Sequence, residues 1–119
     1  MPIHVSQEGR SFMKIHCSGK VVKADYLFLV PRFEQAVKEE GDQRILFDLD
    51  GFEGWDVGAL WEELKFDFKH LADIQKCAVV GDKKWEQVLS GFFNLFTQAK
   101  IRYFELGNSG EARKWLLES

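Results

Sequence analysis

An α/β fold built on a mixed, mostly parallel sheet is predicted by three observations. The runs "RILFDL" (44–49) and "CAVVG" (77–81) are short, continuously apolar and closed by turn residues, the pattern of strands covered on both faces. Longer segments with helical periodicity lie between and after them, so strands and helices alternate as right-handed crossovers require. With 119 residues, 45% apolar and 29% charged, the chain can bury one core but not two, and residues 1–119 are read as a single domain.

The elements follow in order. "PIHVS" (2–6) and "SFMKIHC" (11–17) flank "QEGR" and predict a hairpin at or near a sheet edge. Alternation places Met13, Ile15 and Cys17 on one face and Phe12, Lys14 and His16 on the other. "ADYLFLVPRFEQAVKEEG" (24–41) predicts a helix whose regular part begins near Pro31, since proline is best tolerated in a first turn, and which stops at Gly41. After "RILFDL" comes a helical segment entered near Asp56 and running to Leu71, then "CAVVG", a second helical segment over 82–99, and "KIRYFEL" (100–106) as a weaker, edge-like strand. "SGEARKWLLES" (109–119) closes the chain as a helix with Ser109 as its N-cap. The expected order is ββαβαβαβα.

Composition excludes several kinds of function. A net charge of −3 argues against nucleic-acid binding, which needs a basic surface to neutralise phosphates. Cys17 and Cys77 fall inside expected strands and not at zinc or CxxC spacing, so they read as small, reduced core side chains. His4, His16 and His70 are scattered, and neither a metal set nor a nucleophile–base pair can be assembled from the spacing. "VVGDKKW" (79–85) reads as a strand-to-helix connection capped by Asp82, not as a phosphate loop. No apolar run is long enough to span a bilayer, and "MPIHVSQEGR" lacks the layout of a secretion signal. A cytoplasmic location is expected.

The motif "DLDG" (48–51) resembles, superficially, the nucleophile loop of haloacid-dehalogenase-type phosphatases, with Asp48 as nucleophile and Asp50 as acid/base. Here it follows about 47 residues of other structure, and Phe52 stands where that family has threonine. Asp50 and Asp56 read instead as loop and helix-start acids that favour a helix dipole. No catalytic residue, cofactor or metal is assigned.

Charge is unevenly placed. Residues 34–67 hold eleven acids against Lys38, Arg44 and Lys65, net −8, while residues 76–102 hold five bases against Asp82 and Glu86, net +3. The basic segment either faces an anionic surface or is ordinary solvated surface.

The stretches "GKVVKADYLFLVPRFEQAV" (19–37), "GWDVGALWEELKFDFKH" (54–70), "AVVGDKKWEQVL" (78–89), "IRYFEL" (101–106) and "EARKWL" (111–116) resemble the SpoIIAA-like family of small bacterial proteins, over essentially the whole chain. The resemblance implies a fold similar to STAS domains. STAS anti-sigma-factor antagonists are switched by phosphorylation of a serine after the middle strand. The corresponding "DLDGFEGWDVGAL" has neither serine nor threonine, so that switch is not expected. The resemblance also implies similarity to CRAL-TRIO-type domains, in which an apolar ligand lies between the sheet and movable helices.

At about 100° per residue, Val57, Leu60, Trp61, Leu64, Phe68 and Leu71 form one narrow stripe, with Phe66 nearly opposite. In the next helical segment Trp85, Val88, Leu89, Phe92, Phe93, Leu95, Phe96 and Ala99 cover roughly 160°, wider than the roughly 100° a packed surface helix needs. The expected function is non-enzymatic binding of a small apolar or lipid-like ligand, lined by Trp61, Phe68, Phe92, Phe93 and Phe96. Phe66, Phe93 and Leu95, with the basic fringe of Lys83, Lys84 and Lys100, are the candidates for contact with an anionic membrane or a partner. The alternative is a STAS-type protein-interaction module, with a homodimer among its forms.

Overall fold

The computed structural model describes residues 3–55, 74–85 and 100–118. Their elements are β1 (Ile3–Gly9), β2 (Phe12–Cys17), β3 (Gly19–Val21), α1 (Lys23–Glu40), β4 (Gln43–Asp48), β5 (Phe52–Trp55), β6 (Ile74–Gly81), β7 (Lys100–Glu105) and α2 (Ser109–Leu117). The helical segments expected over 56–71 and 86–99 lie outside the described residues.

Five strands form one sheet in the order β1-β2-β4-β6-β7. β1 pairs with β2 antiparallel, and every other pair is parallel, so the mixed, mostly parallel α/β fold expected from the apolar runs is the one observed. β1 and β7 are the two edges, where the hairpin expected at or near an edge and the edge-like "KIRYFEL" strand stand.

Alternation along the central strands splits the core into two. Met13, Ile15, Cys17, Ile45, Cys77 and Val79 pack on the α1 side with Ala36. Phe12, Leu46, Ala78 and Val80 pack on the other side with Ala112 and Leu116 of α2. The unbroken apolar runs of β4 and β6 have this origin: consecutive side chains enter opposite cores, so no position in the middle of these strands faces water.

Three readings of local structure are corrected. α1 begins at Lys23, and Pro31 sits in the middle of its 18 residues. The Asp25 carboxylate accepts the Val22 N–H at 2.9 Å, which supports a start well before the proline. Leu27, whose carbonyl loses the donor that Pro31 lacks, is 53% exposed, so water can serve it and the usual penalty of an interior proline is reduced. At α2 the N-cap is Asn108, not Ser109, which is the first helical residue. The expected order lacks β3 and β5, which form a separate two-stranded parallel sheet, with Gly54 and Trp55 in β5. Strands of three and four residues are too short to carry a periodicity.

The ends of α1 and β4 are tied to the hairpin. Gln43, fully buried, donates from Nε2 to the carbonyls of Gly41 (3.0 Å) and Ala36 (3.3 Å). Ser11 Oγ donates to the Glu40 carbonyl at 2.8 Å, and the Glu40 carboxylate accepts from Ser11 N–H and Gln7 Nε2, each at 3.2 Å. α1 is thereby fixed at its C-terminal end against the sheet edge where β1 turns into β2.

Candidate functional site

Of the residues singled out in the sequence, Trp61, Phe66, Phe68, Phe92, Phe93, Leu95 and Phe96 lie outside the described residues. Lys100 contributes backbone to β7, and its side chain is likewise outside the description. Lys83 and Lys84 are exposed just past β6, with the Lys84 ammonium 5.5 Å from the Trp85 ring centroid. Trp85 itself turns inward, packing on Phe52 at 4.7 Å between centroids, tilted 51°, and against the α1-side core.

The "DLDG" acids form a turn. Asp48 Oδ1 accepts the Asp50 N–H at 3.0 Å, and Oδ2 stands 3.8 Å from Lys14 Nζ. The side chain closes a short loop onto its own backbone, the ordinary use of aspartate in such a place. His16 Nε2 meets the Asp50 carbonyl at 3.0 Å. Gly51 adopts φ +81° with Ser18 alongside: a Cβ added at Gly51 would come within 3.7 Å of the Ser18 Cβ. The hydroxyl missing from the "DLDGFEGWDVGAL" stretch is thus brought near it from the β2–β3 connection, a juxtaposition no local motif could show. Among the described residues, no three His, Cys, Asp or Glu side chains are grouped to hold a metal.

Both cysteines are buried and free. Burial pushes the Cys77 thiol up from its ordinary 9.0 to about 12. Burial also raises Cys17 to about 12, with the negative charges of Asp48 and Asp25 adding to it. Neither is an activated nucleophile, which requires a lowered pKa. A raised folded-state pKa favours the protonated form, so the contribution of these thiols to stability is complete below pH 9 and is lost as pH climbs toward 12. Urea midpoints measured between pH 8 and 11 should fall with rising pH, less steeply in a variant with both cysteines replaced by alanine. Equal slopes for the two proteins would contradict the assignment.

The described residues line an open groove. It lies between α1 and the β1–β2 edge, has a volume of about 620 Å³, and is lined by Val5, Met13, Leu27, Phe28, Pro31 and Ala36 together with Gln7, Arg32, Gln35 and Glu39. Val5 and Met13 come from neighbouring strands and face the helix because alternation puts them there. Leu27, Phe28 and Pro31 share one side of α1 at spacings of one and four. Placing the helix start at Pro31 hides this side in the sequence, because Leu27 and Phe28 then precede the helix.

Comparison with known proteins gives the fold a family. A search of curated proteins finds no match. Among solved structures, an uncharacterised DUF3478-family protein with a SpoIIAA-like fold from Shewanella loihica PV-4 superposes with a TM-score of 0.74 at 22% identity, covering 96% of this chain and 91% of that one. The anti-sigma factor antagonist SpoIIAA in its unphosphorylated form superposes with a TM-score of 0.63 at 8% identity, covering 94% and 97%. Identities this low establish a shared fold. The profile of the SpoIIAA-like family matches residues 12–117, which span β2 through α2, and on that match the chain belongs to the SpoIIAA-like family.

Proposed function

We propose that the chain is a single-domain, non-enzymatic binding module that holds a small apolar or lipid-like ligand between its sheet and a helix. The supporting observation is the groove under α1: about 620 Å³, with six apolar lining residues, a size within the roughly 300–1,000 Å³ range of small-molecule sites. The helix concerned is α1. Asp48 is committed to a turn and both thiols are raised in pKa, which gives no support to a hydrolytic or thiol-based reaction. In this reading the exposed pair Lys83 and Lys84 meets anionic lipid when the protein rests on a membrane.

A second reading, a protein-interaction module, is favoured by the sheet edge. β1 pairs only with β2 among the described residues, and His4, Ser6, Gln7 and Glu8 are exposed, so its outer backbone groups can accept a strand from a partner or a second copy.

Amide chemical-shift titrations separate the readings. A neutral long-chain alcohol, dodecanol, should shift residues 27–39 of α1 together with Val5 and Met13. A Leu27→Asp variant should bind it severalfold more weakly while keeping its stability within about 0.5 kcal/mol, because Leu27 is exposed. Anionic vesicles should broaden residues near Lys83 and Lys84 at low salt and release them at high salt. Shifts confined to β1 that grow with protein concentration and ignore the alcohol would overturn the ligand reading in favour of strand addition.

A further inference from the structure

Resting on the groove reading, we infer that the ligand is a single-chain amphiphile with a carboxylate head, held by Arg32. The guanidinium of Arg32 lies over the Phe28 ring, 4.1 Å from its centroid. Both residues line the groove. A cation over an aromatic face is held by the ring's quadrupole and does not use up its N–H donors. No carboxylate pairs with Arg32 among the described residues. The acid on the lining, Glu39, instead accepts a 2.7 Å hydrogen bond from Gln35 Nε2. Among the described residues, the groove therefore carries a cation that is not paired with the carboxylate on its lining, beside an apolar floor of Val5, Met13 and Ala36.

This arrangement specifies chemistry. A neutral chain would fill the apolar floor and leave the guanidinium to water. A cationic head would be repelled by it. A carboxylate matches the guanidinium fork, accepting two parallel N–H bonds that are shorter and stronger than neutral ones. The aliphatic tail would then run from Arg32 and Phe28 past Pro31 and Leu27 toward Val5, with Phe28 touching both the head group's partner and the chain.

The test compares dodecanoate with dodecanol and dodecyltrimethylammonium, all below their aggregation concentrations, by titration calorimetry on the full chain. Dodecanoate should bind about tenfold or more tightly than dodecanol, and the cationic amphiphile more weakly than either. Arg32→Gln should bring dodecanoate down to the dodecanol level, so that the ratio of the two affinities measured in this variant falls to about one. Arg32→Lys should recover only part of the difference, because a point charge does not reproduce the fork. Acetate, the head without the tail, should show no binding at millimolar concentration. Equal affinities for dodecanoate and dodecanol, or an Arg32→Gln variant indistinguishable from the parent, would overturn the head-group assignment and leave the apolar groove standing. No binding of any of the three chains would overturn the groove reading itself.

Discussion

Replacing Gly81 by alanine should destabilise the protein by about 3 kcal/mol. Gly81 is the last residue of β6 and is buried. A Cβ there would lie 2.7 Å from Tyr103 Oη and 3.1 and 3.3 Å from Leu49 Cβ and Cδ1. Neither neighbour can give way cheaply. The Tyr103 hydroxyl donates to the Asp82 carbonyl, and Leu49 is held by its N–H donating to the Val80 carbonyl at 2.8 Å. Overpacking a closed site costs about 1–3 kcal/mol, and losing the tyrosine hydrogen bond adds about 1 kcal/mol. Urea denaturation measures the loss. Tyr103→Phe in the same chain removes the nearest atom, so the double variant should be more stable than the sum of the single effects implies. A loss under 1 kcal/mol in Gly81→Ala would show that the β6 end relaxes freely.

The Lys76→Met substitution should cost about 2–3 kcal/mol and lower the Tm by about 10 °C. Lys76 is only 6% exposed, an unusual place for a lysine. Its ammonium donates to the carbonyls of Trp115 and Glu118, both at 2.8 Å, and lies 4.9 Å from the Trp115 ring centroid. The Trp115 carbonyl lies in the last turn of α2 and Glu118 is the residue that caps it, at the helix end whose dipole favours a cation. Methionine keeps the unbranched stem and removes the charge, so the change isolates the two charge-assisted bonds. Amide exchange should quicken first in residues 113–118, before the central strands respond. An unchanged Tm would mean that water replaces the ammonium without loss.

Lys76 also shows what was legible in the chain and what was not. In the sequence it is one more basic residue of the 76–102 segment, and its charge adds to that segment's net +3. In the fold it is a buried cap on a helix about forty residues downstream, joined by contacts that no local pattern encodes. Arg32 has a similar history. Its partner Phe28 is four residues away, within reach of any helix-surface argument, but the pair appears only once the helix is known to run through Pro31. Whether a proline breaks a helix depends on what surrounds the carbonyl it deprives, and that is a tertiary fact.

The apolar runs 44–49 and 77–81, and the alternation of 12–17, determined by themselves that the chain would build a mostly parallel sheet with helices on it. Burial on both faces demands unbroken apolar stretches, and burial on alternate faces demands a period of two. Those are local consequences of strand geometry, written in consecutive residues. The tertiary structure alone decided that β3 and β5 pair across more than thirty residues, that Ser18 stands beside Gly51, and that α1 and the β1 edge leave a groove with Arg32 beside it. Each depends on which distant segments meet, and a contact between distant segments leaves no period in the sequence of either.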